Sequence, residues 1–167
     1  MGPQDAAAPV IIDGMTKLDE RTGVPRIDSD ARGRLARATD VPGVVAASLI
    51  GSQARATAGP LSDVDVAVWL DPGLGARRRS EISVRLRAAT AAALGTDAID
   101  LIVLNEASPL MRHRAMRDGI RLVERERALR VRLEARGLLD YLDTAALRAR
   151  LDAGVAHRLD EGRFGRR

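Results

Sequence analysis

Three carboxylates stand where an apolar chain has little structural use for them. Asp63 and Asp65 open the run "DVDVAVWL", which ends at Leu70. In an extended chain alternate residues share a face, so the two acids project together while Val64, Val66 and Val68 face the opposite, buried side. Two carboxylates on one face repel, and a divalent cation between them removes that cost; hard oxygen ligands of this kind suit Mg²⁺ rather than zinc. Two solvated acids at a strand entrance after a Pro-containing turn is the competing reading. Asp100 shifts the balance because it lies inside the apolar stretch "AIDLIVLN", Ala98 to Asn105. An ionised group there is costly unless paired or metal-bound. If this stretch neighbours the first acidic strand, Asp100 points at the same cation site. Three carboxylates then hold two Mg²⁺ ions, which clamp the attacking and leaving oxygens of a phosphoryl displacement. Asp100 is also placed to accept the proton of the attacking hydroxyl.

Gly51-Ser52 supplies a complementary half. A glycine lets a phosphate approach the backbone, the Ser52 hydroxyl and amide can donate to it, and a helix beginning near Ser52 aims its positive end at the same oxygens. Arg55, one turn on, adds a charge-assisted contact. Gly-Ser alone describes an ordinary turn. With the acidic pair and the third acid it describes a site for a nucleoside triphosphate and its metals.

The elements that must position these residues follow from apolar runs and their punctuation. Asp28 or Ser29 caps a short helix over "ARGRLARAT", which stops before Pro42. Val44 to Ile50 is a buried strand bounded by Pro42-Gly43 and Gly51, and Val64 to Leu70 is a second, closed by Asp71-Pro72-Gly73. Ile82, Leu86, Ala89 and Ala93 recur at helical spacing between Arg77 and Leu94, and Gly95 ends that helix. Ala98 to Asn105 is a third strand. Ser108-Pro109 caps and starts a helix that runs to Gly119, and Ile120 to Glu124 is a short fourth strand. From about Arg125 to Leu151 the chain is helical, with a stripe of Val131, Ala135, Leu138 and Leu142. Packing of that stripe on the sheet is favoured over a partner interface, and Gly137 marks a kink or a break between two helices. Strands alternating with helices predict a small α/β (α+β) domain with a helical C-terminal segment. Residues 1–25, with three prolines and three glycines and no period, read as a flexible arm, Met15 being a second candidate start. Residues 26–151 form the domain, and 152–167 a basic tail.

Composition narrows the function. At 167 residues and 46% hydrophobic the chain fits one core. Aromatics are 2% of the chain, Trp69, Tyr141 and Phe164, too few for base-stacking platforms. The formal charge is +4, carried almost wholly by arginines that alternate with acids on helix faces. Such faces are solvated surface more often than binding stripes, so no direct nucleic-acid partner is expected. With no cysteine there is no disulfide framework or thiolate metal site, and His113 and His157 are too far apart for a zinc cluster. His113, between Arg112 and Arg114, reads as part of a mixed surface helix rather than as a catalytic group. Tyr141 stands open between core, interface and acceptor roles. No apolar run spans a bilayer and no basic-then-apolar leader opens the chain, so a cytoplasmic protein is expected.

The spacing Gly51-Ser52, ten residues, Asp63-Val64-Asp65, then Asp100 resembles the nucleotidyltransferase superfamily related to DNA polymerase β. More closely, "GSQARATAGPLSDVDVAV" resembles the minimal nucleotidyltransferase (MNT) proteins, in which Gly-Ser-x-Ala-Arg-Gly leads to Ser-Asp-x-Asp. "IDLIVLNEASPLMRHRAMRDGIRLVER" and "RLEARGLLDYLD" look like the MNT antitoxins paired with helical HEPN toxins. The resemblance covers about Ile27 to Leu151. It implies a small mixed sheet with flanking helices, and transfer of AMP from ATP to a tyrosine of a partner HEPN ribonuclease, in a hetero-oligomer. By the same resemblance Gly51, Ser52, Arg55 and Ser62 bind the nucleotide, Asp63 and Asp65 hold two Mg²⁺ ions, and Asp100 is metal ligand and base. The glycine that follows the motif arginine is Ala56 here. That loses a tight approach if the position needs positive φ, and costs nothing if it is helical. A small-molecule nucleotidyltransferase of the antibiotic-modifying kind would use the same acids but usually carries an acceptor domain for which this chain hardly has room. An antitoxin that masks its toxin by contact alone is the other alternative.

Overall fold

A computed structural model describes residues 26–59, 62–160 and 162. The expected N-terminal arm, residues 1–25, and the end of the basic tail from Arg163 lie outside them. Helix α1, Ser29–Thr39, opens on Asp28, whose Oδ1 accepts from the Ala31 amide at 2.8 Å. The chain then turns at Pro42-Gly43 into strand β1, Val44–Ile50, makes the single turn α2, Gly51–Ala54, and returns as β2, Val64–Leu70. Helix α3, Ala76–Leu94, ends on Gly95 in the left-handed region at φ 68°. It leads to β3, Ile99–Val103, and then to α4, Pro109–Asp118, whose cap Ser108 accepts from the Met111 amide. Strand β4, Ile120–Glu124, and helices α5, Arg127–Asp143, and α6, Ala145–Asp160, complete the order.

The sheet is mixed, in the order β3-β2-β1-β4, with β3 parallel to β2 and the other pairs antiparallel. The parallel pair exists because α3 is long enough to carry the chain back across one face. Alternation along β2 sorts its residues between two cores. Val64, Val66, Val68 and Leu70 pack with Leu35 of α1 and Ile82 and Leu86 of α3. Ala67 and Trp69 face Ala115 and Met111 of α4 and Leu129 and Leu133 of α5. Buried on both faces, β1 and β2 are apolar runs rather than alternating strands. A register shift between Val44 and Ala46 puts Val45 and Ala46 on the same side before alternation resumes.

Two expectations for the C-terminal region are corrected. Gly137 breaks nothing: it is buried within α5, and a Cβ there would lie 3.5 Å from Arg112 Cδ and 3.7 Å from Met116 Cε, so it marks where α4 lies across α5. The helical segment divides instead at Thr144, whose hydroxyl donates to the carbonyls of Asp140 and Tyr141. The stripe of Val131, Ala135, Leu138 and Leu142 does not pack on the sheet, because α5 carries a second apolar row, Leu129, Leu133 and Gly137, and that row turns inward. Val131, Leu138 and Leu142 are left 48%, 44% and 56% exposed. Helix α6 runs on through Leu151 to Asp160 without a buried residue. No helix among the described residues is long and apolar enough to cross a membrane.

Candidate active site

The sheet register lines up the residues that the spacing singled out. Ile50, at the end of β1, pairs with Asp65, and Asp65 pairs with Asp100 on β3. Directly paired residues on adjacent strands put their side chains on one face. Asp65 and Asp100 therefore stand side by side at one rim of the sheet. Asp63 sits just before β2 begins at Val64. The chain leaves β1 through Gly51 right beside this row.

Gly51 is required by two independent constraints. Its φ is 71°, in the left-handed region. A Cβ on it would come 1.9 Å from Asp65 Oδ2 and 2.9 Å from Asp65 Cγ. Gly51 and the second aspartate of the pair are thus packed against each other, although fourteen positions apart. Ser52 lies in the one-turn helix α2, where first-turn amides have no partner within the helix. Its carbonyl accepts from the Thr57 amide at 3.0 Å, which folds the following loop back. Ser62 closes that loop from the far side: its hydroxyl accepts from the Gly59 amide at 2.9 Å, and its own amide donates to the Gly59 carbonyl. Ala56 has φ 57°, so the position is left-handed, not helical, and the alanine holds a conformation that the motif's glycine takes freely.

The electrostatics follow from this crowding. Partial burial pushes the Asp65 carboxyl above the ordinary carboxylate range, Asp100 and then Asp63 push it further, and the Arg55 guanidinium pulls the other way. Asp100 is exposed and receives Arg87 Nη2 of α3 at 3.4 Å. Among the described residues no three acids or histidines close into a metal cage; the carboxylates form a row along the rim. The end of α4 approaches from the other side. There Arg117 grips Asp118 through two contacts of 2.6 and 2.7 Å, and this fork, followed by the charges of Arg117, Arg55 and His113, holds the Asp118 carboxyl below its ordinary value.

Several residues acquire roles that single-sequence reading missed. Arg112 donates to the carbonyls of Leu104 and Asn105, both at 2.8 Å, and pairs with Asp140 of α5 at 3.0 Å, 6.0 Å from the Trp69 ring centroid. It fastens α4, α5 and the loop after β3 together. Asn105 caps the end of β2 with two bonds to Leu70. A lone Arg or Asn in a helical or loop run carries no signal for this. His113, half-buried, does not join the aspartate row: it stacks on Tyr141 at 3.9 Å, and Arg148 of α6 covers the other Tyr141 face at 3.7 Å. Tyr141 is thereby the joint between α4, α5 and α6.

The family profile of polymerase beta nucleotidyltransferases matches residues 36–128. No curated protein matches the sequence. Among solved structures, the chain resembles one from the complex of a tri-AMPylated Shewanella oneidensis HEPN toxin with MNT antitoxin, at 24% identity and TM-score 0.51, covering 73% of this chain and 90% of that one. It resembles a second Shewanella oneidensis crystal structure at 21% identity and TM-score 0.51, covering 75% of this chain and 92% of that one. Identities at this level speak to the fold, which the mixed sheet and its flanking helices share. The profile covers more than half of the chain and takes in the loop at Gly51 and the whole aspartate row: this chain belongs to the polymerase beta nucleotidyltransferase family.

Proposed function

We propose that this protein is an antitoxin nucleotidyltransferase that transfers AMP from ATP to a tyrosine of a cognate HEPN-type ribonuclease toxin, silencing it in the cytoplasm. The observation that carries the reading is the row of Asp65 and Asp100 on adjacent strands with Gly51 against Asp65. Support for the partner comes from the structural neighbour, described as a tri-AMPylated HEPN toxin with MNT antitoxin.

The residues fit a hard divalent cation: the donors are all carboxylate oxygens, and their mutual repulsion, felt most by half-buried Asp65, is what a cation relieves. Asp63, Asp65 and Asp100 would hold Mg²⁺, two ions in the superfamily's manner, supplying charge neutralisation at the α-phosphate and at the leaving pyrophosphate. Gly51 and Ser52 receive the triphosphate on backbone amides and the Ser52 hydroxyl, with Arg55 beside them. Ser62 shapes the loop that brings Asp63 to the site. Asp100 takes the proton of the acceptor hydroxyl as its oxygen bonds to the α-phosphorus, and the bond from that phosphorus to the bridging oxygen breaks to release pyrophosphate.

The test is the intact mass of the cognate HEPN-type toxin after incubation with this protein, ATP and Mg²⁺. Adenylyl increments are expected with the wild type and none with the Asp63→Asn, Asp65→Asn double variant. Inhibition of the toxin with no mass change would leave an antitoxin that works by contact alone. No protection by either form would end the antitoxin reading.

A further inference from the structure

Nine large apolar side chains are exposed among the described residues, and all but Val84 lie on α5 and α6. The row Leu147, Leu151, Val155 and Leu159 recurs every fourth residue along α6, and Leu138 and Leu142 are exposed at the same spacing on the preceding α5. A helix of 16 residues is marginal alone in water, and α6 is tied to the body mainly at its start, through Arg148 on the Tyr141 ring and carbonyl. A contiguous apolar surface on such a helix is an interface awaiting its cover.

Charge identifies the cover. Helices α4, α5 and α6 together hold ten arginines and six acids, a surplus of four that equals the formal net charge of the whole chain; the remaining residues balance at 17 against 17. Ion pairs engage Arg112, Arg117, Arg130 and Arg136 with Asp118, Glu134 and Asp140. That leaves six arginines against three acids, with Arg114, Arg132 and Arg150 in no ion pair among the described residues. The surface also runs toward the chemistry. A groove of about 420 Å³ between α4 and α5 is lined by Val131, Leu138, Met116, His113 and Arg117, and Arg117 holds the Asp118 that feels Arg55.

We propose that the outer face of α5 and α6 is the docking surface for the protein substrate, and that the element seated there is an amphipathic helix with an apolar seam flanked by acidic residues. This rests on the reading above that the acceptor is a protein. The groove between α4 and α5 gives the docked partner a path toward the aspartate row. Docking and transfer are then separable functions of two faces.

The experiment measures binding of the cognate HEPN-type toxin by calorimetry, with ATP binding followed in parallel. Leu138→Asp with Leu151→Asp is expected to weaken partner binding about 100-fold, as loss of central apolar anchors does. Arg132→Glu with Arg150→Glu is expected to weaken it about tenfold and to flatten its salt dependence. Both variants should bind ATP as the wild type does, which shows that they fold. Asp63→Asn with Asp65→Asn should bind the partner normally and transfer nothing, so a failure of the chemistry is distinguishable from a failure of docking. Surface variants that bind the partner as tightly as wild type overturn the proposal. So does light scattering that finds a dimer of the free protein which Leu138→Asp with Leu151→Asp splits, since a second copy is then the cover.

Discussion

In β1 every residue from Val44 to Ile50 is buried, whereas in α6 none from Ala145 to Asp160 is. The sheet uses its apolar residues against α1, α3, α4 and α5 and sets its aspartates, Asp65 and Asp100, side by side at one rim. The C-terminal pair of helices carries nearly all the large apolar side chains left uncovered. The difference teaches that apolar content does not locate a core. A core needs two facing surfaces, and α6 contributes only one. The comparison breaks most directly through paired truncations. Leu86→Ala, in a fully buried side chain, is expected to cost about 2–5 kcal/mol. Leu151→Ala, 59% exposed, is expected to stay within about 0.5 kcal/mol. Urea unfolding of both variants measures this, and equal losses would mean that α6 is covered in the free protein.

The same contrast explains what was legible in the sequence. The strands could be read because each is an apolar run cut off by Gly or Pro, and α3 and α4 because Gly95 and Ser108-Pro109 are unambiguous ends. The convergence of Asp100 on Asp65 was legible only as a condition, since strand adjacency is a long-range fact; the register pairing meets it. The face of α5 was not legible. Val131, Leu138 and Leu142 and the row of Leu129, Leu133 and Gly137 both have helical spacing, and periodicity gives a stripe without saying which stripe turns inward. Gly137 misled for a related reason: a glycine in a helical run signals a break locally, and only the position of Arg112 shows that it clears space instead. The use of His113 against Tyr141 required three helices to meet and left no local trace.

At the charged rim, stability and chemistry pull apart, and the second contrast is sharper there. Asp65 is held above its ordinary pKa by burial first and by Asp100 and Asp63 next. A carboxyl whose folded pKa is raised binds its proton more tightly in the native state than in the unfolded one. Its contribution is therefore complete below the unfolded value and is lost as pH rises through the folded one. At neutral pH and without divalent cation, Asp65→Asn is expected to raise Tm while abolishing transfer, and the gain should vanish in acid, where Asp65 is protonated anyway. Added Mg²⁺ should raise Tm of the wild type and not of the variant. Differential scanning fluorimetry across pH measures all of this; a lower Tm for Asp65→Asn would mean that the carboxylate stabilises the fold.

A small effect on both stability and transfer is expected at Ala56, where the rim carries a left-handed alanine. With φ at 57°, an alanine pays about 1–2 kcal/mol relative to a right-handed conformation. Glycine would remove that strain but bring about 0.5–1 kcal/mol of extra unfolded-state entropy. The two nearly cancel, so Ala56→Gly should stabilise by no more than about 1 kcal/mol in chemical denaturation. Its effect on transfer is the informative part. The left-handed turn that the motif glycine makes freely is already made by the alanine, and the Thr57 amide already reaches the Ser52 carbonyl at 3.0 Å. A loop that is already shaped gains little from added freedom, and transfer by Ala56→Gly should stay within about threefold of wild type, under 1 kcal/mol of barrier. A tenfold faster variant would show instead that the methyl group, not the backbone angle, limits approach of the triphosphate.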